Sequence, residues 1–514
     1  MTLVSRVLGL VRDVVIADKM GAGASADVFF FANKIPNFFR RLFAEGAFAQ
    51  AFVPVLSEYR TLDEKNGTDE TKKLIAQVSG TLGVIITLVT AFGMIASPLF
   101  VMLFGFGWFV DWLNDGPSAD KFDLASTLLK ITFPYLWFIS FTALAGAVLN
   151  TLGKFAVAAF TPVLLNVCII TFAIVGVDYF DNPAYALAWG VFAGGLVQFL
   201  FQIPFLLRAN GLVKPTWAWN APGVVKVRKL IIPALFGVSV TQINLLLDTL
   251  IASFLVTGSI SWLYYADRLL EFPLGLFGIG IATVILPSLS RLHSADSKQE
   301  FKDTIDWGIR VICLFGLPAL AGLMVLAQPI IMVLFMRGEF DQQQVIYVSY
   351  ALFAYLSGLI SLMFIKVLAP AYYSRQDTKT PVKIGIKAMV ANMAFNLALA
   401  PFFGYVGLAI ATTMSATLNA FWLYRGLKAD QVFEFDAKTL WYIAKLVISA
   451  LVMGAVVFSL SPSFDTWVAF SFPDKVLQLI LCISAGAVCY FICVFLLGVR
   501  MHDFKVKASS QSGQ

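Results

Sequence analysis

The sequence predicts an all-α integral membrane protein with fourteen transmembrane helices: two pseudo-symmetric six-helix lobes and two further C-terminal helices. Three observations predict it. First, 59% of the 514 residues are hydrophobic and only 13% are charged, whereas soluble domains run at about a quarter charged. Second, apolar runs of roughly 20 residues recur from end to end, the length that crosses hydrocarbon as a helix. A membrane barrel would show short alternating segments instead. Third, Lys and Arg crowd into every second loop, as the positive-inside rule requires.

The first run, 2–18, carries Arg6, Arg12 and Asp13 and lacks the clean apolar centre of a cleavable leader, so it reads as a span. The second, 26–57, is interrupted by Pro36 and Gly46, in the manner of the broken helices of transporters. Runs 74–104, 124–150, 155–177 and 184–207 complete a first set of six. Runs 230–256, 261–289, 307–335, 344–371, 383–403 and 405–424 form a second set. The last two, 439–460 and 475–499, nearly lack charge and read as an appended pair facing lipid or a hydrophobic groove.

Loops after even-numbered runs hold, among others, Arg60, Lys72, Lys73, Arg208, Lys214, Arg228, Lys229, Arg291, Arg375 and Arg425. The opposite loops hold only Lys19, Lys121, Arg337 and Lys475. Both termini are therefore expected in the cytoplasm. The net charge of +6 is a topology signal, with no basic soluble domain for nucleic acid.

An internal repeat fixes the domain division. Phe52-Val53-Pro54-Val55-Leu56-Ser57 matches Ile285-Leu286-Pro287-Ser288-Leu289-Ser290, Thr161-Pro162 matches Thr380-Pro381, and Ala186-Leu187-Ala188 matches Gly407-Leu408-Ala409. Three anchors in one order imply two parallel halves, and transporters bind between such halves. The division is 1–214, 215–428 and 429–514, the last holding the appended pair and a short tail.

Charge is concentrated between Ser5 and Tyr59. Each ionised group at bilayer depth costs about 2.5–3.5 kcal/mol on insertion scales, so these groups are expected to face a polar cavity. Asp27, Lys34 and Arg41 recur at steps of seven, with Glu45 four further on, which is one helix face. In the repeat-equivalent run, Tyr264, Asp267, Arg268 and Glu271 share a face just before Pro273. Arg6, Arg12, Arg41 and Arg268 offer forked donors suited to phosphate oxygens, so the expected substrate is anionic. The competing reading is that these charges pair internally and merely join helices. Asp248, the one-turn pair Asn392 and Asn396, and Thr412 would make a hard oxygen site for Na⁺, against which stands ordinary interhelical hydrogen bonding.

The five cysteines lie in apolar runs and read as small core residues. The two histidines, His293 and His502, sit in polar loops. No phosphate loop, nucleophile elbow or metal motif appears, so no enzyme and no organic cofactor is expected.

Four stretches carry a resemblance to a known family. SRVLGLVRD (5–13), RRLFAEGAFAQAFVP (40–54), YYADRLLEFP (264–273) and KVLAPAYYSRQDTKTPVKI (366–384) resemble the MurJ/MviN lipid II flippases of bacteria, within the multidrug/oligosaccharidyl-lipid/polysaccharide exporter superfamily. The resemblance covers nearly the whole chain. It implies alternating access that carries the undecaprenyl-diphosphate-linked peptidoglycan precursor across the inner membrane to the periplasmic face, for cell-wall synthesis and cell shape. It implies that Arg6, Arg12, Asp13, Asp27, Arg40, Arg41, Glu45, Asp267 and Arg268 match substrate-cavity and gate positions. It also implies a lipid-tail groove at the appended helices, membrane lipids and the cell-wall synthesis machinery as partners, and coupling to Na⁺ at Asp248, Asn392, Asn396 and Thr412 or to the membrane potential. A cation-coupled multidrug exporter and a polysaccharide-repeat flippase of the same superfamily are the alternatives. The family carries more residues before the Ser-Arg-Val-Leu-Gly motif, so an upstream in-frame start is expected.

The topology is directly testable. Reporter fusions after Asn210 and after Asp181 are expected to report cytoplasm and periplasm respectively; reversed signals would contradict the fourteen-span reading.

Overall fold

The computed structural model describes residues 2–42, 47–67 and 69–500, and among them it contains twenty α-helices and no β-strand. They pack into two compact units. One is built from the residues up to Ser261 plus the loop Arg337–Phe340, the other from Trp262–Met336 and the residues from Asp341 on.

The first unit holds α1 (Thr2–Met20), α2 (Ala24–Arg40), α3 (Ala47–Asn66), α4 (Glu70–Ile95), α5 (Ser97–Phe104), α6 (Phe106–Leu113), α7 (Ala119–Thr132), α8 (Pro134–Thr151), α9 (Phe155–Thr171), α10 (Pro183–Arg208) and α11 (Pro222–Ala252). Its core joins α3, α4, α8, α10 and α11 through Phe48, Phe52, Val55, Leu74, Val78, Val148, Leu206 and Val227. Lipid tails are as apolar as these side chains, so close backbone approach matters more than apolarity here. Gly190 and Gly194 of α10 supply it: a Cβ at Gly190 would lie 3.1 Å from the Ile169 Cα, and one at Gly194 2.6 Å from the Leu165 side chain on α9. Asn182 starts α10 by accepting the Ala184 N–H at 2.9 Å, with Pro183 in the first turn, where its missing N–H costs nothing.

The second unit holds most of α12 (Ser259–Pro273), then α13 (Gly280–Ser294), α14 (Lys298–Phe335), α15 (Gln342–Leu356), α16 (Leu359–Tyr373), α17 (Lys379–Ala429), α18 (Ala437–Leu460), α19 (Phe464–Ala469) and α20 (Phe472–Leu496). Asp341 caps α15 through the Gln344 N–H at 2.9 Å. In the loop before α17 the Thr380 hydroxyl and N–H hold the Asp377 carboxyl below its ordinary pKa.

The apolar runs of the sequence appear as helices, several of them divided. Run 26–57 holds α2 and α3, with Pro36 inside α2 and not at a break, while Gly46 lies outside the described residues. Runs 74–104 and 124–150 are each divided at a proline that opens the following helix, Pro98 and Pro134, since proline fits the first turn of a helix better than its interior. Runs 383–403 and 405–424 are the two helical halves that meet at a kink in α17, Lys379–Ala429. Gly404 breaks it with φ 56° and ψ −136°, a conformation open only to glycine.

Among the described residues nine helices are long and apolar enough to cross a membrane, or ten when α15 and α16, bent by 41°, count as one. Neither α1 nor the α2–α3 stretch is among them; their charges dilute the apolar run. The repeat places a division at 214/215, whereas α11 packs along α3 and α4 and belongs to the first unit by contact. The repeat is a relation between sequences, and it does not dictate which neighbours a helix packs on.

Candidate functional site

In the first unit the candidate residues Arg6, Arg12 and Asp13 stand on α1, Asp27 and Arg40 on α2, and Arg41 just beyond it. Asp13 is fully buried, and Arg12 grips it with Nε at 3.0 Å and Nη2 at 2.7 Å from the same carboxylate oxygen. The remaining nitrogen, Nη1, donates to Asn166 Oδ1 on α9 at 3.1 Å, and Asn166 donates in turn to the Ser5 carbonyl at 3.2 Å. All three guanidinium nitrogens thus donate within the unit. The Arg12 guanidinium, expected to face a phosphate, is here engaged in joining α1 to α9.

Asp27 has a different setting. Its carboxylate accepts the Gly258 N–H at 2.6 Å, the Ser261 N–H at 2.9 Å and the Ser261 hydroxyl at 2.7 Å. These are the orphan N–H groups at the start of α12, which a carboxylate satisfies with charge-assisted bonds. Lys121 of α7 stands 3.8 Å from the same carboxylate, donates to Thr257 at 2.8 Å, and lies over the Trp108 ring at 5.5 Å. Asp27 and Lys121 are 2% and 5% exposed, so neither charge is met by bulk water and each depends on the other and on its hydrogen bonds. Ser253 accepts the Gly107 N–H at 3.0 Å. The turn from Ser253 to Ser261 is therefore held by α2, α6 and α7 together.

The seven-residue spacing on α2 meets an antiparallel counterpart. Asp27 bonds the turn after α11, Lys34 donates to Thr249 at 3.1 Å, and Arg41 donates to Gln242 at 3.2 Å. The charged face of α2 thus lies along α11. Arg41 is exposed, unlike Asp27, and Glu45 lies outside the described residues. Arg40 donates to Asn37 at 2.9 Å, and Arg6 is exposed.

In the second unit Asp267 is exposed and Arg268 is half-buried, donating to Glu271 one turn on at 3.2 Å. Asn392 and Asn396 are buried on α17, and Thr412 donates to the Leu408 carbonyl at 2.9 Å. Asp248 is half-buried on α11 and belongs to the first unit. The structure brings Arg12 to Asp13 and Arg268 to Glu271, and it gives Asp27 to Lys121 instead of another residue of the expected set.

In the sequence Lys121 reads as a loop charge, and nothing marks out Asn166, Ser261 or the Arg310 cluster. Arg310 on α14 pairs with Asp306 at 2.7 Å and donates to the buried Thr439 on α18 at 2.7 Å, while Thr439 donates to Asp306 at 2.5 Å. This node fastens α18 to α14. The i,i+4 spacing of Asp306 and Arg310 on a long apolar helix was the available signal; their partner on α18 was not.

A chain built of apolar membrane-crossing helices, with its ionised groups gathered on a few of them, is a polytopic membrane protein of the transporter class. The family model described as lipid II flippase MurJ matches residues 16–478. A probable lipid II flippase MurJ of Vibrio cholerae is 61% identical over 506 residues, covering 98% of this chain and 96% of that protein. A solved structure of lipid II flippase MurJ in an inward closed conformation matches with a TM-score of 0.79 and 26% identity, covering 96% of this chain and 97% of that one. An inward-facing multidrug resistance MATE transporter matches with a TM-score of 0.70 at 14% identity, over 83% of this chain and 95% of that one, a likeness of fold alone. The chain belongs to the lipid II flippase MurJ family.

The Asp27 node gives a testable coupling. Asp27→Asn and Lys121→Met should each lower the unfolding temperature of the detergent-solubilised protein, since each leaves a buried charge without its partner, a loss of about 3–5 kcal/mol. The double variant should lose clearly less than the two single losses combined. Additive losses would show that the two charges do not act as a pair.

Proposed function

We propose that this chain is a lipid II flippase that carries the undecaprenyl-diphosphate-linked precursor from the cytoplasmic to the periplasmic leaflet of the bacterial inner membrane. It is a transporter and makes or breaks no covalent bond. Membership of the family carries the proposal, and the chemistry of the charged residues supports it. A diphosphate cannot cross hydrocarbon unshielded, because an ion there loses its solvation, whereas a polyprenyl tail can remain in lipid throughout. Arginine forks hold phosphate oxygens bidentately. The fold is proposed to comprise fourteen spans in two repeat-related lobes, with the last two helices appended and both termini cytoplasmic, and to work by alternating access.

Within the expected arginine set we assign the substrate diphosphate first to Arg41 and Arg268. Arg41 is exposed and bonded to the amide oxygen of Gln242. Arg268 is held by the exposed carboxylate of Glu271, a pairing that water screens and that exchanges readily. Arg12 is proposed to act by setting the position of α1, since Asp13 and Asn166 already receive its donors. The multidrug-exporter alternative requires a carboxylate-dominated site and is supported by fold likeness only.

The proposed coupling site for Na⁺ comprises Asp248, Asn392, Asn396 and Thr412, one carboxylate and three neutral oxygens, a donor set that suits a hard cation.

Complementation of a strain depleted of its own flippase tests the assignment. Arg41→Lys and Arg268→Lys should fail although charge is kept, at normal protein level. Full growth with both would place the diphosphate elsewhere. In the same strain Asp248→Asn should slow growth; growth equal to wild type across Na⁺ concentrations would remove the ion site.

A further inference from the structure

A cavity of about 400 Å³ lies on the first unit between α4, the Phe141 side chain of α8 and the segment that links α10 to α11. Its floor is Gly83, Val84 and Leu88 on α4, and its roof is Pro215 and Trp217. The linking segment is tied down along its length. The Thr216 N–H donates to the Ala76 carbonyl at 2.9 Å and the Ala218 N–H to the Thr81 hydroxyl at 3.2 Å. A side chain at Gly80 would collide with the Thr216 backbone, so the close approach depends on that glycine. The segment crosses α4 just after Lys72 and Lys73, where the polar end of the helix gives way to its apolar run.

Trp217 and Trp219 stack with ring centroids 6.0 Å apart and planes within 11°, and they are 57% and 40% exposed. Tryptophans so placed belong at the headgroup level of a bilayer. The half-buried Arg228 guanidinium lies 4.2 Å over the Trp219 ring, and its Nη1 donates to no acceptor among the described residues. Lys214 is exposed on the same segment. One continuous feature therefore runs from an apolar groove, over two stacked indoles, to a half-buried guanidinium with one nitrogen, Nη1, left without an acceptor among the described residues. Such an order matches an acyl chain, a glycerol backbone and an acidic headgroup.

We propose that this groove binds an anionic phospholipid, with an acyl chain along Gly83, Val84 and Leu88 and the phosphate at Arg228. The site lies on a different unit from α18 and α20 and uses none of the residues assigned to the substrate diphosphate. A lipid seated there would fix the segment on α4 and so hold α11, which begins three residues after Trp219.

The full chain, reconstituted in vesicles, tests this. Tryptophan quenching by brominated phosphatidylglycerol is compared with quenching by brominated phosphatidylcholine, and the signal of the pair is isolated by subtracting the Trp217→Phe, Trp219→Phe double variant. The pair should be half-quenched at about a 5-fold lower fraction of the anionic lipid, the preference expected of one basic group near the headgroup layer. Arg228→Gln should bring the two curves together, and Arg228→Lys, which keeps the charge, should retain most of the separation. Coincident curves in the wild type, or a separation that survives Arg228→Gln, would overturn the proposal. Relief of quenching by stoichiometric polyprenyl diphosphate would overturn it too, by giving the groove to the transported lipid. Both vesicle leaflets contain the probe, so a failed topology assignment would leave this result unaffected.

Discussion

An ionised side chain in an apolar helix must be matched inside the protein, and that constraint governs this structure. Each such group costs about 2.5–3.5 kcal/mol to place at bilayer depth, so its partners are as fixed as the group itself. Asp27 illustrates it. One carboxylate satisfies two backbone N–H groups, a hydroxyl and a lysine, and in doing so ties α2 and α7 to the turn that opens α12. Arg12, Asp13 and Asn166 do the same for α1 and α9, and Asp306, Arg310 and Thr439 for α14 and α18. Charge here is first a means of fastening helices whose apolar faces give no preference between protein and lipid.

That principle sorts the charged residues by what they can do for a ligand. A group enclosed by backbone donors, like Asp27, cannot exchange partners without opening the turn it holds. A group bonded to an amide or to an exposed carboxylate, like Arg41 or Arg268, exchanges partners at small cost. Along α2 the gradient runs from the buried Asp27 to the exposed Arg41 within four turns. A transporter needs both ends of such a gradient: fixed joints that let helices move as bodies, and labile donors that take the substrate's charge in place of water.

Much of the fold was legible because bilayer thickness and helix rise together dictate the period of apolar runs. The repeat of twenty-residue runs gave the helices, and the step of seven on α2 gave its charged face. The partner of that face was not legible. Thr249 and Gln242 carry no charge and sit in an apolar helix, and only packing shows that α11 lies along α2. The role of Asp27 was hidden likewise, because the N–H groups it satisfies have no signature in sequence. Lys121 appeared as a stray loop charge, and its burial against Trp108 required the fold. Pro36 suggested a break, yet it lies inside α2, since one proline can be accommodated inside a helix that its neighbours hold.

The central claim is that this chain moves a lipid-linked diphosphate between leaflets. Its most direct test is depletion of the chain in its host, followed by measurement of how much precursor is accessible at the outer leaflet. The account predicts that the accessible pool falls while total precursor in the membrane rises, and that resupplying the chain reverses both. An outer-leaflet pool that stays constant through depletion would contradict it.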